Sequence, residues 1–476
     1  MCVRVRNRDR YSSWPFVVLH SPHTGEASFD KPNPSQYGQT MVTSHSSSLA
    51  AAPPTTSAST RAAKLFPPAA ARRTDLVIER ALGCHIWTED GRRITDFASG
   101  VAVTNVGHNH PDVVAAVHAQ VDTLMHVGHN VALCPPYLDL AERLVDAVGP
   151  DRKVYFANSG AEAIEAAIKL VTRTSGRTGL IAFKGAFHGR STLATALSAS
   201  SAKYKSGYQG IMPSVQHLDF PAPFANGSTE EAEVERCLAQ LDATFDLVLA
   251  PADTAAIVVE PFQGEGGYYP APAAFLQGLR DRADKHGIAL IFDEIQSAFG
   301  RTGTMFAFEH SGVVPDVITL AKGIANGLPL SAMVARTDLM DQWPAGAHGG
   351  TFGGNPVACA AALAVFDILE GGALDNARVV GAQLKAGLER IAANQSLSYE
   401  VRGLGMMLGV EFRNDDGTPA TEFVARVCAS ALDQGLLVLA CGPKANVIRL
   451  MPPTTLTSDE ATDALATLQA AITAAR

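Results

Sequence analysis

Three features are scarce in this sequence, and each scarcity excludes a class of protein. Lys and Arg number 38 against 47 Asp and Glu, a formal net charge of -9, so no general attraction to nucleic acid or to an anionic membrane is expected. No apolar run approaches the roughly 18 uninterrupted residues that a membrane-spanning helix needs. The seven cysteines form no C-x-x-C pair and are odd in number, which argues against a disulfide framework and favours a reducing, cytoplasmic location.

Residues 1–70 differ in composition from the rest of the chain. Ser, Thr, Pro and Ala dominate them, and such a segment cannot bury enough apolar surface to fold alone. We expect a disordered or non-homologous extension. A true start at Met41 and a targeting sequence are the open alternatives.

Short apolar runs alternate with helical stretches through the middle of the chain. The runs at 179–183, 255–259, 288–292 and 317–320 have strand length and β-branched residues, and the stretch 272–285 has a helical pattern. This alternation is typical of β-α-β units. The sequence therefore predicts an α/β fold with a large, mostly parallel, buried sheet.

The last hundred residues have a different pattern. A long helical stretch near 376–393 is followed by an apolar segment at 403–412 and a final helix from about residue 457. We expect a second, smaller α+β domain here.

Polar residues follow three of the predicted strands. Lys322, Asp293 and Glu260 each come directly after an apolar run, and ligands of α/β sheets bind at the carboxyl ends of strands. A lysine in this position can be desolvated, which lowers its pKa and lets it form a Schiff base. A snorkelling lysine and a helix-capping aspartate are the plain alternatives. Pyridoxal phosphate needs an amine, a carboxylate and a phosphate site, so their combination points to that cofactor.

A candidate phosphate site lies at the start of a predicted helix. Ser159, Gly160 and Ala161 follow a strand-like segment, and free N–H groups at a helix N-terminus favour an anion. Ser159 with Glu162 three residues later also fits a capping box. The two interpretations are compatible.

Together, six motifs resemble the class III (subgroup II) aminotransferases of fold type I, from about residue 75 to the C-terminus. They are Ser159-Gly160-Ala161-Glu162-Ala163, Phe187-His188-Gly189-Arg190, Glu260-Pro261 with Gln263-Gly264-Glu265-Gly266-Gly267, Asp293-Glu294-Ile295-Gln296, Ala321-Lys322-Gly323, and Gly350-Thr351-Phe352-Gly353-Gly354-Asn355-Pro356.

The resemblance implies a role for each cofactor residue. Lys322 would bind the cofactor covalently and later carry a proton, and Asp293 would pair with the pyridinium nitrogen. Phe187 would stack on the ring and Gln296 would hydrogen-bond its O3'. Thr351 would reach the phosphate from a partner subunit. The full implied cofactor set is Ser159, Gly160, Ala161, Phe187, His188, Asp293, Gln296, Lys322 and Thr351, with no metal.

The resemblance also implies two cationic substrate sites. Arg190 would bind the carboxylate far from the reacting carbon, and Arg449 would bind the α-carboxylate of glutamate. Glu265 would neutralise Arg449 when no α-carboxylate is present, and Glu260 would support Arg190. Val101 would line a pocket suited to a short chain.

The function implied is ping-pong transamination of 4-aminobutyrate, or a similar ω-amino acid, with 2-oxoglutarate, giving succinate semialdehyde and glutamate. Acetylornithine, 5-aminovalerate or another ω-amine as substrate, a racemase or aminomutase, and a non-catalytic cofactor-binding protein are the alternatives. A homodimer or dimer of dimers is expected. The extension 1–70 would precede a small domain formed by residues 71–110 and 371–476, with the large cofactor domain at 111–370.

Overall fold

The computed structural model describes residues 57–395 and 397–476. The chain divides into two units, Met1–Arg73 and Thr74–Arg476. The described part of the first unit contains one helix, α1 (Ala58–Leu65), which is capped by the side chain of Ser57. The sequence did not predict this helix. The prediction of a disordered extension otherwise falls mostly on residues 1–56, which lie outside the described residues.

The second unit contains the remaining elements. Its strands are β1 (Ile78–Leu82), β2 (His85–Thr88), β3 (Arg93–Asp96), β4 (Arg152–Ala157), β5 (Gly179–Phe183), β6 (Gln216–Leu218), β7 (Thr254–Val259), β8 (Phe262–Gln263), β9 (Tyr269–Pro270), β10 (Ala289–Asp293), β11 (Val317–Leu320), β12 (Ser331–Arg336), β13 (Ser398–Leu404), β14 (Met407–Arg413), β15 (Leu436–Leu437), β16 (Leu439–Cys441) and β17 (Val447–Leu450). Its helices are α2 (Ser99–Ala102), α3 (Pro111–Thr123), α4 (Pro135–Val148), α5 (Gly160–Ser175), α6 (Thr192–Leu197), α7 (Pro223–Asn226), α8 (Glu230–Leu247), α9 (Ala273–His286), α10 (Thr337–Met340), α11 (Pro356–Ile368), α12 (Leu374–Ala393), α13 (Thr421–Asp433) and α14 (Ser458–Ala474).

A seven-stranded sheet in the order β4-β12-β11-β10-β7-β5-β6 forms the centre of this unit. All its neighbours pair in parallel except β12, which is antiparallel to both β11 and β4. Every residue of β7 and β11 is buried, because helices cover both faces: α3, α4, α8, α9 and α11 on one and α5 and α6 on the other. The predicted α/β fold with a mostly parallel sheet is confirmed, and the predicted runs and the helix at 272–285 match observed elements within one residue.

Both ends of this unit meet in the smaller sheets. The short strand β15 pairs in parallel with β3, so the C-terminal region completes the sheet β1-β2-β3-β15. The antiparallel sheet β13-β14-β17-β16 shares a core with α12, α13 and α14. The unit Thr74–Arg476 is not divided further, so the predicted boundaries at residues 110 and 370 stay predictions.

One helical run, Pro356–Ala393, is long and apolar enough by length and composition alone to cross a membrane. Its first part, α11, has Ala358, Cys359, Ala362, Val365 and Phe366 in the core beneath the central sheet. A buried core helix passes the same test, and we interpret the run in that way.

Candidate active site

Lys322 lies at the carboxyl end of β11, where the chain turns into a short 3-10 helix, Lys322–Ala325. Its φ of 47° is in the left-handed region, which lysine rarely adopts. Desolvation lowers the pKa of Lys322, while the charges of Glu265 and Asp293 act in the opposite direction. The structure therefore places a desolvated amine within reach of two acidic groups, of which the sequence predicted Asp293 at this edge of the sheet.

Asp293 ends β10, the strand beside β11, and is in register with Thr319. Its Oδ1 accepts a hydrogen bond from Ile295 N at 3.0 Å, and its Oδ2 lies 2.7 Å from His188 Nδ1. Burial opposes the charged form of His188, but the hydrogen bond and charge of Asp293 outweigh it and raise the pKa of His188. The contact fixes the orientation of the Asp293 carboxylate.

Ser159 caps α5 with a complete capping box. The Glu162 Oε2 accepts hydrogen bonds from Asn158 N at 2.7 Å and Ser159 N at 2.9 Å. The N–H groups of Gly160 and Ala161, in the first turn, have no acceptor within the helix. A Cβ at position 160 would lie 2.8 Å from Ile295 Cδ1, so any larger residue would require the Ile295 side chain to shift. The capping box is therefore present, and it leaves these two N–H groups able to bind an anion.

Lys322, the first turn of α5 and His188, which contacts Asp293, line one cavity of about 320 Å³. Its lining comprises Val103, Asn158, Ser159, Gly160, Ala161, Phe187, His188, Gly189, Ile295, Ala321, Lys322, Gly327, Leu328, Pro329 and Leu330. The volume is within the range of cofactor and small-molecule sites. The Lys322 amine, the His188 ring that contacts the Asp293 carboxylate, and the N–H groups of α5 therefore surround one cavity. They come from elements far apart in sequence.

Two buried polar atoms at this site have no partner among the described residues: His188 Nε2 and Gln296 Oε1. Buried polar atoms are normally hydrogen-bonded, so these two atoms can each accommodate a polar group of a bound molecule. An aromatic cofactor with a ring nitrogen, a ring oxygen and a phosphate fits these atoms together with Lys322 and the cradle of α5.

Phe187 lines the cavity and its ring contacts Tyr204 edge-on, with 5.7 Å between ring centroids. Its N–H points to Glu260 Oε2 at 3.4 Å, and Gly264 N donates to Glu260 Oε1 at 3.2 Å. Burial raises the pKa of Glu260 to about 8. Glu260 thus holds backbone groups beside the cofactor site rather than forming the ion pair with Arg190 that the sequence suggested.

Arg449, on β17, forms an ion pair with Glu265. The Arg449 side chain is 2% exposed and that of Glu265 is 18% exposed. The pKa of Arg449 is raised, because the charge of Glu265 outweighs the cost of burial. The predicted pairing of these two residues is therefore present in the structure.

Arg190 is exposed, and its guanidinium lies 4.4 Å from the ring centroid of Tyr204. In the described ranges it forms no ion pair. Val101 is exposed in the single turn α2, and Val103, two residues later, lines the cavity. Thr351 is exposed and is not part of the cavity wall of its own chain.

Sequence reasoning missed three contributors. Ile295 lines the cavity, and its place between Asp293 and Gln296 was the available signal. Tyr204 lies under Arg190, and Ser198 Oγ accepts a hydrogen bond from His188 N at 2.8 Å. Neither of these two has a local sequence signal.

The sequence of this chain is similar to those of known aminotransferases. A family model described as Aminotransferase class-III matches residues 68–472. The 4-aminobutyrate aminotransferase of Escherichia coli is 43% identical over 79% of this chain and 89% of its own length. A 5-aminovalerate aminotransferase of Pseudomonas aeruginosa is 40% identical over 83% of this chain and 92% of its own length.

Solved structures give the same result. An amine transaminase from an uncultivated Pseudomonas species, in its PLP-bound form, superposes with a TM-score of 0.79 at 34% identity, covering 84% of this chain and 95% of that one. Residues that fit pyridoxal phosphate, a family match over most of the chain and this likeness agree. The chain belongs to the class III aminotransferases and is an enzyme that uses pyridoxal 5'-phosphate.

Proposed function

We propose that this enzyme transfers the amino group of 4-aminobutyrate, or of a similar ω-amino acid such as 5-aminovalerate, to 2-oxoglutarate by a ping-pong mechanism. The products would be succinate semialdehyde, or the corresponding semialdehyde, and glutamate. The ion pair between Arg449 and Glu265 is the observation that carries this proposal. The two relatives named for these amines support it.

The two half-reactions make different demands on one site. An ω-amino acid has a carboxylate only at the end far from the reacting carbon, whereas glutamate has a second one beside that carbon. Arg449 suits the α-carboxylate, because a guanidinium binds carboxylates bidentately. A buried arginine left without a partner costs on the order of 3–5 kcal/mol. Glu265 offsets that cost when the substrate has no α-carboxylate and moves aside when it has one.

Arg190 is the candidate for the distal carboxylate that both substrates share. It has no ion-pair partner among the described residues and rests on the Tyr204 ring. A cation held against an aromatic ring keeps its charge available for a substrate. The distance between the reacting carbon and this carboxylate would then select chain length, with Val101 at the pocket edge.

Pyridoxal phosphate, when bound, supplies an electron sink that stabilises negative charge on the substrate carbon. The chain would hold it through Lys322, Asp293, Phe187, Gln296 and the first turn of α5. The lowered pKa of Lys322 favours a neutral amine, which can take a proton from the substrate carbon and return it nearby. Asp293, fixed by His188, would pair with the ring nitrogen of the cofactor.

Glu265→Gln tests the masking of Arg449. The variant leaves Arg449 unpaired during the ω-amine half-reaction, which costs on the order of 3 kcal/mol or more. If this cost raises the activation barrier, the rate of that half-reaction falls by at least about a hundredfold. The glutamate half-reaction should change by less than about tenfold, because glutamate supplies its own α-carboxylate. Both rates are measured separately by single-turnover absorbance of the cofactor.

Two controls accompany this experiment. Glu235→Gln, an exposed change of the same kind on α8, should behave as wild type, and Lys322→Ala should turn over neither substrate. Equal losses in both half-reactions of Glu265→Gln would refute the masking role. Acetylornithine outrunning 4-aminobutyrate by about a hundredfold would refute the proposed substrate.

We also propose that the enzyme is a homodimer, or a dimer of dimers, in which Thr351 completes the partner's phosphate site. Four large apolar side chains near Thr351 are exposed: Met125 63%, Val131 81%, Leu133 64% and Phe352 61%. The segment that contains Met125 contacts the segment that contains Phe352. Asn355 Nδ2 donates to Met125 O at 2.9 Å, and the rings of His126 and Phe352 lie 5.3 Å apart. An exposed apolar patch of this kind indicates an interface.

A cytoplasmic location remains our proposal. The six cysteines within the described ranges are free thiols, and unpaired cysteines are typical of a reducing compartment.

A further inference from the structure

Cys84, His85 and Glu460 form a cluster outside the active site. Cys84 is buried, and the other two side chains are 21% and 32% exposed. One potential ligand atom from each residue lies within 4.8 Å of those of the other two. The cluster joins β2, near the start of the larger unit, to the first turn of α14, near its end.

Two of the three ligand separations match a tetrahedral metal site, and the third is within 4.8 Å. Cys84 Sγ is 3.6 Å from His85 Nε2, and His85 Nε2 is 3.5 Å from Glu460 Oε1. Bonds of about 2.0–2.3 Å from zinc to N, O and S ligands require ligand atoms roughly 3.3–3.8 Å apart at tetrahedral angles. The atoms are therefore already spaced for one ion between them.

The surroundings leave the three ligand atoms available. The other oxygen of Glu460, Oε2, accepts the cap hydrogen bonds from Thr457 N at 2.9 Å and Thr457 Oγ1 at 2.8 Å, so Oε1 remains for a metal. His85 Nδ1 lies 3.5 Å from Thr95 Oγ1, a contact that orients the ring as outer partners of metal-bound histidines do. Without a metal, the Cys84 thiol hydrogen-bonds to Glu460.

We propose that Cys84, His85 and Glu460 bind one zinc ion, with water as the fourth ligand. A thiolate and a carboxylate neutralise the two charges of the ion, and the mixture of S, N and O ligands suits zinc rather than calcium or magnesium. Binding displaces the thiol proton of Cys84 to solvent. The sequence analysis predicted no metal site. Glu460 is distant in sequence from Cys84 and His85, and only the fold brings the three residues together.

Zinc binding is tested on the full-length, cofactor-loaded protein. After dialysis against zinc-free buffer, calorimetric titration with zinc and elemental analysis should give one tightly bound ion per chain. Cobalt added instead should give visible ligand-field bands at longer wavelength than the cofactor absorbs. Cys84→Ser, His85→Gln and Glu460→Gln should each weaken binding by at least about tenfold.

Cys428→Ala is the matched control, because it removes a thiol on α13 outside the cluster, and it should bind zinc as wild type does. Glu460→Gln decides the question if Cys84→Ser fails to fold, since a glutamine can still accept the cap hydrogen bonds. Circular dichroism and cofactor content verify folding. The proposal is wrong if the wild-type protein does not bind zinc. It is also wrong if the three variants bind zinc as well as wild type does.

Discussion

Lys322 has two unfavourable features at once, a φ of 47° and an amine removed from water. Strain of this kind costs about 1–3 kcal/mol and persists only where the surrounding structure fixes it. Here the strand β11 and the short helix after Lys322 fix the backbone. The Lys322 amine faces the cavity. There, by the proposed mechanism, the same amine would bind the cofactor covalently and later accept a proton.

The positions of several site residues could be predicted from the sequence because their signals are local. Lys322 and Asp293 follow apolar strands, and Ser159 with Glu162 has the spacing of a capping box. The contact of His188 with Asp293 could not be derived from spacing, since 105 positions separate them. Glu260 was paired with Arg190 in the prediction, because sequence gives charge but not the backbone N–H groups that compete for a carboxylate.

Glu294, next to Asp293, is buried and accepts hydrogen bonds from Ala307 N at 2.6 Å, Phe308 N at 2.8 Å and Ser297 Oγ at 3.0 Å. Burial outweighs these bonds and raises the pKa of Glu294 from 4.5 to about 7. The folded protein therefore keeps this proton up to about pH 7, whereas the unfolded chain releases it above pH 4.5. The free energy of unfolding should fall across this window, by at most about 1.4 kcal/mol per pH unit.

Glu294→Gln removes this titration. We expect the variant to be less stable at low pH, because its amide replaces an acceptor among three donors, but its stability should fall less steeply than that of wild type between pH 4.5 and 7. Urea unfolding at several pH values in this window measures both slopes. Parallel curves would show that Glu294 is ionised in the folded protein throughout.

At the scale of elements, α2 has an unusual backbone. Ser99, Gly100, Val101 and Ala102 all have positive φ, of 46°, 62°, 68° and 62°, so this single turn is left-handed. Asp96 Oδ1 holds its start by accepting hydrogen bonds from Ala98 N and Ser99 N, and Ser99 Oγ donates to Met451 O at 2.6 Å. The turn lies just before Val103, which lines the cavity.

Val101→Gly separates strain from function in this turn. A left-handed β-branched residue costs about 1–2 kcal/mol, and the freedom of glycine in the unfolded chain costs about 0.5–1 kcal/mol. We expect the free energy of unfolding to stay level or rise by up to about 1 kcal/mol, measured by urea denaturation. The KM for the ω-amine should rise, because the pocket edge loses its side chain.

The change Val114→Gly controls for the loss of an exposed valine in an ordinary right-handed helix. It lies on α3 and should destabilise the protein by about 0.5 kcal/mol, since glycine is a poorer helix former than valine. A loss of more than about 1 kcal/mol in Val101→Gly would show that the valine side chain stabilises the turn more than its backbone strains it.

Elements with a clear hydrophobic period were predicted well, and those made by long-range pairing were not. The strands β5, β7, β10 and β11 are continuous apolar runs because both faces are buried. By contrast, β15 is two residues long and exists only because it pairs with β3. The left-handed α2 has one glycine among four residues, so composition gave no sign of it.

For the whole molecule, our proposal is that one chain alone leaves the cofactor site incomplete. The cradle of α5 provides N–H groups but few side chains, and Thr351, predicted to reach the phosphate, is exposed on its own chain. The exposed Phe352 is next to Thr351 in sequence, and the exposed Met125, Val131 and Leu133 belong to a loop whose Met125 O accepts a hydrogen bond from Asn355 Nδ2. Dimer formation and cofactor binding should therefore be linked. A cofactor that binds mainly to the dimer stabilises the dimer, and loss of the dimer weakens cofactor binding.

The double change Val131→Lys with Leu133→Lys tests this link by placing two charges on the apolar patch. Burying like charges between two copies is strongly unfavourable, so we expect sedimentation to show dimers for wild type and monomers for the variant. The monomer should also lose the cofactor on dilution much faster than wild type, as followed by its absorbance. Leu247→Lys, which charges an equally exposed leucine on α8, should leave both properties unchanged. A monomeric variant that retains its cofactor would show that each chain binds pyridoxal phosphate without Thr351 of a partner, and a variant that stays dimeric would place the interface on another face.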